Sequence, residues 1–306
     1  MDVVRLDGLR FAVTGAGGFL GHRMVEELLR RGAAKVKALD IRRPAATLPR
    51  EDVAEIFEER VEYHIGDIRG LSYVVDAVRD VDCVFHFASF GMSGREMLKP
   101  SMIVQVNVEG TNNITRACFI NKVPVLVYTS TANVVFDGFT ELKDVDESYP
   151  YPRLDQFMDH YSRTKCMAEQ NVLLHNGSSF FRRNDLVQYA PYRGMSTPEA
   201  LLPDEPTDSD FDHDVDHDDG RFRLTTCSIR PTGIYGEGEE RHMPRVVDMF
   251  KTGVCLFRIG PSSAKMDWVY VDNLVFAHLL AAQTLVRFEP SLSSFVWIII
   301  IIIIIV

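Results

Sequence analysis

The chain has 306 residues, 46% apolar and 25% charged, enough to bury the core of one large or two smaller globular domains. Its formal charge of −10 argues against a nucleic-acid partner, and that charge is local. Residues 204–219 hold nine acids and no Lys or Arg, which leaves about −1 for everything else. The five cysteines (Cys83, Cys118, Cys166, Cys227, Cys255) show no C-x-x-C spacing, so they read as reduced core residues rather than as a disulfide framework or metal ligands.

Residues 9–13 form a short apolar run that predicts a buried strand. The stretch Val13-Thr14-Gly15-Ala16-Gly17-Gly18-Phe19-Leu20-Gly21 follows, and then Met24, Val25, Leu28 and Leu29 recur at helical spacing. A strand, a glycine-rich turn and a helix predict the opening of a dinucleotide-binding βαβ unit. Gly15 permits the tight turn, Gly18 lets backbone N–H groups approach a pyrophosphate, and Gly21 lets the helix lie close to the strand. Phe19 and Leu20 lead into a helix from Gly21, and the unpaired N–H groups and partial positive charge of its N-terminus suit phosphate. Residues 35–40 predict a second strand ending on Asp40, about twenty residues past the glycines, where a carboxylate accepts hydrogen bonds from ribose hydroxyls. That carboxylate repels a 2′-phosphate, so NAD is expected over NADP, with Arg42 and Arg43 opposing the preference.

Residues 61–65 predict a third strand, followed by Asp67 and Ile68 where an adenine would lie. Residues 81–87 predict a fourth, ending beside Ala88, where backbone can lie against a cofactor; His86 within it reads as a satisfied core histidine. A long helix is predicted over 102–121. Asn107 interrupts its apolar face, as either a buried amide or an active-site group. Residues 123–130 predict a fifth strand tipped by Ser130 and Thr131, and a helix is predicted over 158–174. This alternation predicts an α/β fold, a Rossmann-like doubly wound parallel sheet with its ligands at the strands' carboxyl ends. Residues 178–220 lose all periodicity and are expected to form a disordered acidic insert. Its Asp and His residues lack the glycine and closing Glu of a calcium loop, so no metal is expected. Residues 224–230 predict a sixth strand and 274–285 a helix. Residues 295–306 are apolar throughout, with eight consecutive isoleucines. A helix of that length falls short of the roughly twenty residues that span a bilayer, and the run is aggregation-prone, so a truncated membrane segment or a faulty end of the reading frame is expected.

Tyr161 and Lys165 stand four apart on a predicted helix and so project from one face. A free phenol has a pKa of about 10, which a neighbouring ammonium lowers by roughly one to three units. Such a tyrosine can exchange a proton with an alcohol or carbonyl near neutral pH. A hydroxyl at Ser130 or Thr131 is placed to hold the substrate oxygen. No signal-peptide-like run precedes the first strand, so a cytosol-facing location is expected.

Taken together, these motifs resemble an extended short-chain dehydrogenase/reductase. Within that superfamily the chain is similar to the 3-beta-hydroxysteroid dehydrogenase/isomerase group, in its 42E branch. Residues 90–96, 106–111, 127–131, 160–170 and 230–239 carry the likeness, beside the glycine loop. The resemblance implies that Tyr161 is the catalytic acid/base and that Lys165 binds the nicotinamide ribose and tunes Tyr161. It places Thr131 where the usual catalytic Ser stands, gives Asn107 the ordering of the active-site helix and a proton-relay water, and sets Pro231 against the nicotinamide. It implies NAD-dependent oxidation of a 3β-hydroxysteroid or sterol to the 3-ketone. It also implies a longer form associated with the endoplasmic reticulum membrane, and it is compatible with a homodimer. The expected organisation is an NAD-binding Rossmann domain over 9–177, the insert over 178–220, the last strands and a partial substrate-binding region over 221–287, and an anomalous apolar tail over 288–306. Two other readings stay open. One is a nucleotide-sugar epimerase or dehydratase gripping a diphosphate with Arg230, Arg241, His242 and Arg245; the other is a catalytically inactive NAD-binding protein.

Overall fold

The computed structural model describes residues 4, 6–43, 50–183, 186–187, 222–253, 265–287 and 297–301. The acidic stretch 204–219 lies outside them, as does most of the expected insert, whose first residue Ser178 is bridged to Leu224.

Seven parallel strands form one sheet: β1 (Arg10–Thr14), β2 (Lys35–Asp40), β3 (Val61–Ile65), β4 (Cys83–His86), β5 (Val125–Thr129), β6 (Thr225–Pro231) and, at the far edge, β9 (Trp297–Ile301). Their order is β3-β2-β1-β4-β5-β6-β9, so the chain departs from β1 to both sides and the switch point lies between β1 and β4. A separate pair, β7 (Gly233–Tyr235) and β8 (Trp268–Tyr270), follows β6.

Helices cover both faces, because each strand alternates its side chains between two apolar layers. Met24 and Leu28 of α1 (Phe19–Arg30), Phe57 of α2 (Ala54–Arg60) and Leu274 and Leu279 of α8 (Val271–Arg287) pack with Phe11, Val13, Phe85, Val127 and Ile229. On the other face, Val74 of α3 (Leu71–Ala77), Ile114 and Cys118 of α5 (Gly110–Ile120) and Ala168 and Val172 of α6 (His160–Leu174) pack with Ala12, Val84, Leu126 and Tyr128. Each buried Val, Leu, Ile, Met or Phe among them contributes about 1.5–3 kcal/mol by leaving water, so the strand ends that carry the site are held from both sides. Cys83, Cys118, Cys166 and Cys227 are buried and unbridged, while Cys255 lies outside the described residues.

The structure departs from the sequence reading in three places. The single helix expected over 102–121 is α4 (Pro100–Val104), a π turn over Gln105–Glu109 and then α5, all in one continuous run. Residues 297–301, expected to belong to an anomalous tail, form β9 instead, in register with β6 from Cys227↔Trp297 to Pro231↔Ile301. β-branched isoleucines suit a pleated surface, and the outer edge of β6 offers them a ladder. Finally, β7 and the helix α7 (Met243–Lys251) carry no readable pattern, whereas residues 269–272, where the pattern predicts a new element, fall on the end of β8 and the start of α8. Among the described residues no helix is long and apolar enough to cross a membrane.

Candidate active site

A cleft of about 2300 Å³ runs along the carboxyl ends of the strands. It exceeds the roughly 300–1,000 Å³ of a single small-molecule pocket, leaving room for a dinucleotide and a second molecule. Gly15, Gly18, Phe19, Leu20, Gly21, Asp40, Asp67, Ile68, Ala88, Thr131, Tyr161, Lys165 and Pro231 all line it, so the structure gathers nearly every predicted site residue in one place. Asn107 is the exception.

The glycine loop leaves β1 at the switch point. Gly15 has φ +70°, and a Cβ there would stand 2.9 Å from the backbone nitrogen of Ala88. A Cβ on Gly21 would run into the Gly15 carbonyl. Among the described residues no side chain caps the start of α1, and no acid stands in its first turn, so its leading N–H groups are open to an anion. Asp40, at the end of β2, accepts from Gly17 N at 2.9 Å and from Arg42 N at 3.2 Å. These features fit a dinucleotide: a bare cradle for the pyrophosphate and a carboxylate fixed beside it. Asp67 is less open than its position suggested. Burial raises its carboxyl, but Arg69, whose Nε and backbone N each reach it at 2.9 Å, more than reverses this and leaves it below the usual carboxylate range.

The first turn of α6 is capped by Asp159, which accepts from Ser162 N at 2.7 Å and so sets where Tyr161 and Lys165 emerge. Tyr161 is 8% exposed. Burial pushes its phenol up to about 12, with the Ser89 hydroxyl and the Arg241 guanidinium pulling it back. Lys165 was expected to do that lowering; its ammonium instead donates to the Thr129 carbonyl at 2.5 Å and lies 4.1 Å from the centre of the Tyr128 ring. Both the electron-rich ring face and the carbonyl at the end of β5 attract a cation. Burial lowers Lys165 to about 7 against an opposing pull from Glu169. Ser89, at the end of β4, escaped the sequence reading because a lone serine among small residues carries no spacing signal.

Two hydroxyls tip β5. Thr131 Oγ1 accepts from Asn133 N at 3.3 Å, capping the turn that follows, whereas the buried Ser130 hydroxyl has no partner among the described residues. Asn107 is 1% exposed and stands in the π turn. Its Oδ1 accepts from Phe90 N at 2.8 Å, and its Nδ2 donates to Phe90 O at 2.9 Å and to Thr164 Oγ1 at 3.0 Å. Through these bonds it ties the turn after β4 to Thr164 of α6.

Arg230 reaches the cleft, but its charge is already engaged within the protein. Only 1% exposed, its guanidinium meets the fully buried Glu169 through NH2 at 2.6 Å and Nε at 3.0 Å. Glu169, one turn beyond Lys165, also accepts from the Tyr151 hydroxyl at 2.6 Å and from Ser228 Oγ at 2.7 Å. Arg245 donates to Ser93 Oγ at 3.0 Å, docking α7 against the turn after β4, while Arg241 and His242 line the cleft. On the opposite wall Glu237 accepts from the Tyr270 hydroxyl at 2.6 Å and from Arg23 of α1 at 3.3 Å, tying the segment after β7 across the start of the cleft.

The model of the 3-beta hydroxysteroid dehydrogenase/isomerase family matches residues 12–190 and 214–296. Short-chain dehydrogenase/reductase family 42E member 1 of Danio rerio is 41% identical over 285 residues, 93% of this chain and 61% of that protein. The 3beta-hydroxysteroid-dehydrogenase/decarboxylase isoform 1 of Arabidopsis thaliana is 31% identical over 277 residues, 89% of this chain and 52% of that protein. The chain thus spans between a half and two thirds of the length of these curated relatives. Among solved structures, the UDP-glucose 4-epimerase of Thermus thermophilus in complex with NAD superposes with a TM-score of 0.62 at 24% identity, over 95% of this chain and 77% of that one. A likeness of that degree speaks for the fold.

Proposed function

The chain belongs to the 3-beta hydroxysteroid dehydrogenase/isomerase family, and from that premise we propose that it is an NAD-dependent oxidoreductase that converts the 3β-hydroxyl of a steroid or sterol to the 3-ketone. The observation that carries this reading is the convergence of the glycine cradle, Asp40, Tyr161 and Lys165 along one cleft at the strands' carboxyl ends.

The open N–H groups of α1 and the cradle around Gly15 and Gly21 hold the pyrophosphate of the cofactor, and Asp40 holds its adenosine ribose. NAD supplies the hydride acceptor. Lys165 would hold the nicotinamide ribose and Pro231 would face the nicotinamide, since both line the cleft. Ser130 and Thr131 hold the substrate oxygen beside Tyr161, which takes the hydroxyl proton during oxidation and returns one during reduction. With its phenol held up to about 12, Tyr161 is a proton donor at neutral pH and a base only as the pH rises. Oxidation therefore speeds up with alkalinity while reduction does not.

The test is incubation with NAD⁺ and a panel of 3β-hydroxysteroids and sterols, following NADH. Tyr161→Phe should lower turnover by about 10²–10⁴-fold. Equal turnover by that variant would sink the assignment. Stabilisation by NAD without turnover of any substrate would favour an inactive binding protein. The nucleotide-sugar reading loses support from Arg230, whose charge is already neutralised by Glu169; protection from heat by UDP-sugars and not by sterols would restore it.

A further inference from the structure

His86, at the end of β4, is fully buried and does not line the cleft, yet both of its ring nitrogens are used. The donors along its path fix every proton. Thr111 Oγ1 lies 2.7 Å from the carbonyl oxygen of Asn107, which can only accept, so the Thr111 proton points there. The Thr111 oxygen, 2.9 Å from His86 Nε2, therefore accepts, and Nε2 carries hydrogen. Burial, with the Lys165 charge adding to it, lowers His86 to about 3, so the ring is neutral and Nδ1 is an acceptor. Thr14 Oγ1, 2.7 Å from Nδ1, donates to it and accepts in turn from Ala88 N at 3.1 Å.

The result is a line of hydrogen bonds with one proton per link as far as the Asn107 carbonyl, where the covalent frame of Asn107 joins it to the bonds made by its side-chain amide. It starts at Ala88, whose backbone backs the Gly15 turn, and passes through Thr14, His86 and Thr111 to the π turn. There Asn107 continues it to Thr164 Oγ1, which donates to the Tyr161 carbonyl at 2.9 Å. The line crosses from β1 to β4, then to the π-containing helix and finally to α6, so it touches both the cradle and the helix carrying Tyr161 and Lys165.

We propose that His86 is a positioning residue, a neutral bridge protonated at Nε2 that locks the cofactor cradle and the catalytic helix into one fixed arrangement. Protonating the ring would set a second donor against the Thr14 hydroxyl, and reversing it would also leave the Nε2 lone pair facing the Thr111 oxygen, so either change breaks the line. The inference rests on reading the cleft as a dinucleotide site.

Thr111 decides the matter, because it lines neither the cleft nor the cofactor site. Thr111→Val keeps the shape and deletes the hydroxyl; Thr111→Ser keeps the hydroxyl and loses a methyl group. A bridging role predicts that the Val variant binds NAD about tenfold more weakly while the Ser variant binds like the parent; a packing role predicts the reverse order. Thr14→Val combined with Thr111→Val should bind no more weakly than the poorer single variant, since both cut the same line. Effects that multiply, or unchanged NAD binding by Thr111→Val, would overturn the proposal. ¹⁵N spectra of the ligand-free parent protein give an independent reading. A His86 ring protonated at Nε2 alone at neutral pH is the expected result, and an Nδ1-protonated or doubly protonated ring refutes the bridge. Failure of the parent chain to bind NAD would instead count against the dinucleotide reading, and the ring's protonation would still decide the bridge.

Discussion

Replacing Glu169 by Gln keeps the size of the side chain and removes only its charge. In the parent protein that carboxylate receives the Arg230 guanidinium, the Tyr151 hydroxyl and the Ser228 hydroxyl, with neither ion more than 1% exposed. A Gln offers one acceptor oxygen, and its NH2 must face a donor wherever it is turned. Arg230 is left as a buried cation without a counter-charge, for which the expected loss is about 3–5 kcal/mol. That is well above the roughly 0.5–3 kcal/mol of ordinary substitutions, and at about 2–4 °C per kcal/mol it lowers the melting temperature by on the order of 10 °C. Thermal and urea unfolding followed by circular dichroism measure it. Removing the second charge as well, in Glu169→Gln with Arg230→Gln, should recover much of the loss, because the penalty comes from a stranded charge and not from a missing contact. A loss below about 1 kcal/mol for the single variant, or a double variant as unstable as the sum of its parts, would refute this reasoning.

Gly15→Ala combines a left-handed backbone, costing about 1–2 kcal/mol for a residue with a Cβ, with a contact that pushes Ala88 out of line. NAD affinity should fall by about tenfold or more; titration showing the parent affinity would contradict the cradle. The depressed Lys165 pKa also has a signature in stability. Between its folded value of about 7 and the unfolded 10.5, the unfolded chain binds the extra proton, so stability rises with pH. The slope is at most about 1.4 kcal/mol per pH unit and vanishes below the folded value. Lys165→Met should abolish this rise between about pH 7 and 9, and parallel curves for the two proteins would show that Lys165 is not its source.

What the sequence disclosed was whatever depends on near neighbours. The strands of the first half, the glycine loop and the Tyr161/Lys165 pair all declare themselves through spacings of two to four residues. The opposite holds for interactions between distant segments. Thr14 and His86 are 72 positions apart, and Arg230 and Glu169 are 61, so nothing local marks either as a partner. Arg230 looked like an anion-binding arginine because its residue type is visible and its burial is not. Lys165 was read as facing Tyr161 because helical spacing gives the face of a side chain but not its rotamer; a carbonyl and a ring at the end of β5 decided that. The isoleucine run illustrates the same limit. Its composition suggests a truncated membrane segment or a faulty end of the reading frame, whereas residues 298–301 pair along the free edge of β6.

The π turn over Gln105–Glu109 puts the helix that contains it out of phase with itself. Each residue of a regular helix advances about 100° around the axis, so one extra residue within a turn rotates everything after it by that amount relative to everything before. The two halves of the run from Pro100 to Ile120 therefore present different longitudes to the rest of the molecule. Asn107 turns its amide to Phe90 and α6, while Ile114 and Cys118 still meet the sheet. A straight helix of the same composition could satisfy one of these directions only. A single-residue insertion thus lets one element act both as a strut against the sheet and as a fixture for α6, and its length in residues is held by phase as well as by reach.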